Sequence, residues 1–171
     1  MSQQVKHVRP CAREGYGELR RNPVVILAWN SKGPNIAGMI RTAEAFLVEK
    51  VWMQRKPQSF CPAVSAQRWQ PVQYAADLKT IMLGYGLQRR PLVALEMTDD
   101  SIPVWEVELP ENMCLLVGNE SDGLPPVALH CADMHVHIPQ YGFTASLNVV
   151  TATSIALYEW VRQHRGKEAS L

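Results

Sequence analysis

Five polar or charged side chains that could do chemistry fall in three short stretches, each placed where an apolar run gives way to a turn. Asn35 and Arg41 lie in NSKGPNIAGMIRTAEAF, Glu120 stands between two glycines in LLVGNESDGLPP, and Ser146 and Asn148 flank Leu147 in FTASLNVV. Asn35 opens a helical pattern and Arg41 follows within two turns, so both could reach a ligand at the strand end. A planar guanidinium there could grip a carboxylate or phosphate through paired N–H bonds. The plain alternative is an Asn35 cap and an Arg41 surface ion pair. Gly118, directly after an apolar run, would let a ligand lie against bare backbone. The stretch is no phosphate cradle: it has neither a Lys-Ser/Thr pair nor a GxGxxG pattern, and Glu120 and Asp122 repel anions. Glu120 could equally be a helix-entry charge, and Ser146 and Asn148 could equally cap the helix behind them.

The elements that must position these residues alternate between strand and helix. PVVILAW (23–29) and MCLLVG (113–118) are short apolar runs of the kind that suits strands buried on both faces, and KVWMQ (50–54), PLVALEM (91–97) and MHVHI (134–138) read as further strands. Ile36, Met39, Ile40, Ala43, Phe46 and Leu47 recur at helical spacing, which predicts a helix over 35–48. Further helices are predicted over 75–86 and from LPPVALH (124–130), whose prolines suit a first turn. From Leu147 onward, Leu147, Val150, Ser154, Leu157, Tyr158 and Val161 share one predicted helical face. Residues 55–71 read as loop with a short helix near 62–67, and 99–112 as a long polar connection. The whole predicts a single α/β domain with a mainly parallel sheet covered on both faces. In such sheets ligands bind outside the carboxyl ends of the strands, where all three stretches lie.

Composition bounds the function. The 171 residues are 47% hydrophobic and 19% charged, enough for one domain with a real core. No apolar run reaches the ~18 residues of a membrane span, and the first 21 residues lack a signal-peptide core, so a cytoplasmic location is expected. The four cysteines, Cys11, Cys61, Cys114 and Cys131, match neither a zinc nor a disulfide pattern and are expected as reduced, buried thiols. His135 and His137 share a strand face, but with no third ligand nearby no metal site is expected. The five tryptophans read as core or interface residues. The net charge of +1 conceals segregation: residues 1–22 and 50–90 are basic, whereas 91–140 carry nine Asp/Glu and no Lys or Arg. A cationic face for a polyanion is compatible with this, as is plain solvated surface.

Taken together, NIAGMIRTAEAF, LLVGNESDGLP and IPQYGFTASLNVVTATSIALYEW closely resemble, in order and spacing, the three motifs of the SpoU or TrmH-like branch of the SPOUT superfamily of RNA 2'-O-ribose methyltransferases. The resemblance spans about 22–160. Two positions depart from the usual pattern: the first motif reads Asn-Ile-Ala-Gly where many relatives have glycine one step earlier, and Gln140 stands where an apolar residue is usual.

The resemblance implies a carboxyl-terminal trefoil knot, an exception to the rule that chains avoid knots, whose loops hold S-adenosylmethionine. By residue-wise match, Leu95, Gly118, Ile138, Ser146 and Leu147 would bind the cofactor, with Asn148 beside them. The family assigns activation of the ribose 2'-hydroxyl to the arginine matching Arg41. A guanidinium stays protonated, so a bidentate clamp on the neighbouring phosphate suits it better than the role of free base. Asn35 would hold the ribose or Arg41, Glu120 would orient the second-motif turn, and Ser146 and Asn148 would complete the pocket. Also implied are a tRNA or rRNA substrate and a homodimer sharing its sites, without metal or membrane. The expected organisation is a short basic arm (1–22), the methyltransferase domain (23–163) and a tail (164–171). A flavodoxin-like small-molecule domain and a non-catalytic RNA-binding module on the same fold are the rival readings.

Overall fold

A computed structural model describes residues 20–29, 31, 33–54, 66, 69–87, 90–119 and 121–165, with 84–87 described as backbone only. Strand β1 (Asn22–Ala28) leads to helix α1 (Gly33–Ala45) and strand β2 (Val48–Gln54). Next come β3 (Val72–Ala75), α2 (Leu78–Leu87), β4 (Leu92–Leu95), β5 (Ile102–Pro103) and β6 (Cys114–Val117). The chain closes with α3 (Pro126–Cys131), β7 (Met134–His137) and α4 (Val149–His164). The seven strands form one sheet in the order β3-β2-β1-β6-β4-β7-β5, and every pairing between them is parallel.

The central runs alternate between two cores. Val24, Ile26 and Ala28 point to the side of α1 and α4, meeting Met39, Ile40, Leu157 and Trp160, while Val25, Leu27 and Trp29 point to the side of α2 and α3, meeting Leu78, Met82 and Ala128. Burial on both faces explains why these strands are continuously apolar. Helix α1 lies against α4 through Gly38, where an added Cβ would stand 3.0 Å from the Val150 methyls, and through Thr42 Oγ1, 3.1 Å from Ser154 Oγ.

Several predicted boundaries need correction. Helix α1 ends at Ala45, because Leu47 adopts a left-handed backbone (φ 49°) that turns the chain into β2. Asn22 fixes that turn, its Nδ2 donating to Phe46 O at 2.7 Å and its backbone N to Leu47 O at 2.8 Å. Two short strands, β3 and β5, arise in segments with no strand pattern, and both sit at sheet edges where one face stays wet. Helix α4 is rotated from its expected face: Thr153, Ala156, Leu157 and Trp160 are buried, whereas Tyr158 is 64% exposed. Trp160 is core, its Nε1 donating to Pro110 O at 3.1 Å. The helix expected near 62–67 lies outside the described residues except for Ala66.

Candidate active site at the strand ends

The carboxyl ends of β4, β6 and β7 open into a cavity of about 580 Å³. Leu95, Gly118 and Ile138 bring one strand end each, and Ser146 and Leu147 close it from the segment before α4. All five expected cofactor residues therefore meet around one space. Asn35, Arg41 and Asn148 do not line it, and Glu120 lies outside the described residues. The walls mix apolar side chains with Glu96, Asp122 and His137, and among the described residues no Lys or Arg lines the cavity.

Gly118 is required for a different reason than expected. A Cβ there would stand 2.2 Å from the Gly123 carbonyl carbon and 2.5 Å from Leu124 N. The space is filled by the chain's own 119–124 turn, not left open for a ligand. That turn is fixed internally: Asn119 Oδ1 accepts from Ser121 N at 2.8 Å and Asp122 N at 2.9 Å, and Gly123 N donates to Asn119 O at 3.1 Å. Gly123 takes a left-handed φ of 63°, and an added Cβ would lie 2.5 Å from Glu96 Oε2. Glu96 Oε2 accepts from Leu124 N at 2.9 Å, tying the turn to the end of β4. Asn119 and Glu96 were not singled out from the sequence; the Asn-x-Ser-Asp order, a side-chain-capped turn, was the available signal for Asn119.

The third stretch joins the first. Asn148 is the N-cap of α4, its Oδ1 accepting from Val150 N at 2.8 Å, and its Nδ2 donates to Asn35 Oδ1 at 3.0 Å. Asn148 is thus both cap and bridge to the start of α1, while Ser146 is exposed at the cavity rim and does not cap. Arg41 is exposed on α1, and no hydrogen bond or ion pair holds its guanidinium among the described residues.

The wall formed by β7 is held through its histidines. His135 Nε2 donates to Leu129 O at 2.9 Å and its Nδ1 lies 2.9 Å from Asp100 Oδ1. A neutral imidazole carries one N–H, so satisfying both acceptors requires the cation. The bonds to Asp100, then to Leu129 O, raise the His135 pKa, and His135, then Thr98, lowers that of Asp100. His137 Nδ1 lies 3.0 Å from Ser101 Oγ. No cluster of metal-ligating side chains occurs among the described residues. Cys114 is buried with its thiol pushed up to about 12, chiefly by burial, which keeps it a protonated packing group; Cys131 is half-buried and also free. Cys11 and Cys61 lie outside the described residues. No described helix is long and apolar enough to cross a membrane.

A parallel α/β sheet with three loops converging at its strand ends matches known proteins over most of the chain. The family model described as the SpoU rRNA Methylase family covers residues 22–158. The chain belongs to that family. The tRNA (guanosine(18)-2'-O)-methyltransferase of Escherichia coli (strain K12) is 30% identical over 85% of this chain and 66% of its own length. The enzyme of the same name from Saccharomyces cerevisiae is 28% identical over 85% of this chain but 11% of its own. This chain thus spans about two thirds of one relative and about a tenth of the other. Among solved structures, the A. aeolicus TrmH/SpoU tRNA modifying enzyme superposes with a TM-score of 0.79 at 28% identity, over 87% of this chain and 79% of that one. An AdoMet-bound rRNA methyltransferase from Sinorhizobium meliloti gives 0.66 at 26% identity, over 82% and 56%. Family membership sets aside the flavodoxin-like reading.

Proposed function

We propose that this chain is an S-adenosylmethionine-dependent methyltransferase acting on a ribose 2'-hydroxyl of tRNA or rRNA. The observation that carries this reading is the convergence of Leu95, Gly118, Ile138, Ser146 and Leu147 on one cavity. Its size suits a nucleoside-sized ligand. Its chemistry suits S-adenosylmethionine in particular: apolar walls accept a flat base, and acidic side chains, with no Lys or Arg among the described lining residues, favour a sulfonium over a phosphate. The AdoMet-bound relative supports the same assignment.

Bound there, the cofactor supplies the methyl group. This chain's residues bring the acceptor. Arg41, exposed and without a partner among the described residues, clamps the phosphate beside the target ribose and fixes the hydroxyl in line, where a phosphate oxygen can receive its proton. The Asn35–Asn148 bond holds the start of α1 against the start of α4, so the helix bearing Arg41 is positioned relative to the cavity wall. Glu120 is assigned to orienting the second-motif turn, which Asn119 and Gly123 close.

Arg41 does not line the cavity of its own chain, which supports a homodimer in which each Arg41 serves the partner's cofactor. Residues 138–148 carry the chain from β7, beyond β4 and β6, back to α1, which supports a trefoil knot around the cavity. The domain is assigned to 23–163, with a basic arm before it and a tail after it, and the location to the cytoplasm. Calorimetry is expected to show S-adenosylmethionine binding unaffected by chelator; no heat at millimolar cofactor sinks the reading. Nucleoside mass spectrometry of RNA from cells with and without the chain is expected to reveal one missing 2'-O-methyl nucleoside, and identical profiles would contradict a methylating role.

A further inference from the structure

His137 ends β7, lines the cavity and matches none of the motif positions assigned above. Its ring lies against the Ser101 hydroxyl. Ser101 Oγ donates its single hydrogen to Thr98 O at 2.7 Å and accepts from Thr98 N at 3.0 Å. One lone pair remains on Ser101, and His137 Nδ1 lies 3.0 Å away. With the Ser101 hydrogen held by Thr98 O in the shorter of the two contacts, the bond between them has His137 Nδ1–H donating. In the neutral ring the lone pair therefore sits on Nε2, which has no partner among the described residues. The same β5 segment also holds the backbone of this strand end, Val104 N donating to His137 O at 2.9 Å.

We propose that His137 is a cofactor-binding residue whose Nε2 accepts a hydrogen bond from an N–H or O–H donor of S-adenosylmethionine, with Ser101 selecting the tautomer. The proposal rests on the cavity being the cofactor site. It adds an imidazole acceptor to a site whose other polar side chains include Thr98, Gln140 and Ser146 as well as the carboxylates of Glu96 and Asp122. Glu96 is engaged with the turn through Leu124 N, and Asp122 sits exposed on that turn, accepting from Asn119 Nδ2 at 3.3 Å.

Two substitutions separate the two ring nitrogens. The Asn amide overlays the Nδ1 side of the ring, so His137→Asn keeps the Ser101 contact and loses the Nε2 acceptor; Gln reaches the Nε2 side, so His137→Gln restores the acceptor. Binding of S-adenosylmethionine to the full chain is measured by calorimetry, with thermal melting to confirm folding. His137→Asn is expected to weaken binding by about three- to tenfold, the worth of one hydrogen bond, and His137→Gln to recover most of it. A folded His137→Asn protein with wild-type affinity overturns the role of Nε2, and so does a His137→Gln protein no better than His137→Asn. Wild-type protein that binds no cofactor instead overturns the reading of the cavity, and this inference with it.

Discussion

Arg41 carries the largest expected effect of any single residue, because its guanidinium has no structural work among the described residues. Arg41→Ala is expected to leave the melting temperature and cofactor affinity unchanged while lowering methylation about a hundredfold or more, the scale of a lost charged clamp on the reacting groups. Arg41→Lys keeps the charge and loses the planar fork; methylation at the wild-type rate by that variant would show the clamp to be mere surface charge. His135 makes the opposite case, a charge with a structural role and no predicted chemistry. Its folded pKa is raised above the ordinary 6.5, so its contribution is complete below that value and is lost as pH rises through the raised pKa. Asp100 is lowered from 3.8, so its share is lost only as pH falls through its own depressed pKa. The stability gap between wild type and His135→Asn is therefore expected to be widest in mildly acid solution and to close toward alkaline pH. Denaturation at a series of pH values checks this; a gap that widens with pH contradicts it. At this scale residue types were legible in sequence but their partners were not. Asn148 was readable as a cap, whereas its bond to Asn35 joins positions 113 apart and exists only once α1 and α4 pack.

At the scale of elements, legibility followed burial. The strands β1, β4 and β6 were recognisable as apolar runs because both faces are covered, and β2 and β7 by shorter apolar stretches whose burial alternates. Strands β3 and β5 were not, since four- and two-residue edge strands need not be apolar and are held by pairing to a neighbour that local pattern cannot reveal. The face of α4 was misjudged for a related reason: tyrosine and tryptophan both read as apolar, and only the fold shows that Trp160 faces the sheet and Tyr158 does not. Gly118 was read from the sequence as bare backbone for a ligand to lie against, whereas the space a Cβ would need is taken by the 119–124 turn. Gly118→Ala is therefore expected to displace that turn, costing about 1–3 kcal/mol of stability, in the range of overpacking, and to abolish cofactor binding through the deformed wall. Denaturant titration alongside calorimetry checks both. A Gly118→Ala protein that loses cofactor with undiminished stability would restore the simpler reading in which the side chain blocks the ligand directly. Asn148→Ala removes both a cap and the Asn35 bridge, and a loss of about 1 kcal/mol is expected from the cap alone.

For the whole molecule, the separation of Arg41 from the cavity is what asks for a second copy. The exposed side of α4 presents Ile155 at 37% and Tyr158 at 64% exposure, three residues apart and so neighbours on one helical face, available for contact with a partner. If two copies pair there and exchange Arg41, sedimentation gives about twice the 19.2 kDa of the single chain. Replacing Tyr158 with Asp places a carboxylate in that contact and is expected to yield a folded monomer, since the side chain contributes nothing to either core. Such a monomer retains its own complete cavity and is expected to bind S-adenosylmethionine with wild-type affinity, yet to methylate RNA at a rate as low as Arg41→Ala. Full activity from a stable monomer would instead require Arg41 to reach its own chain's cavity, and would remove the shared site.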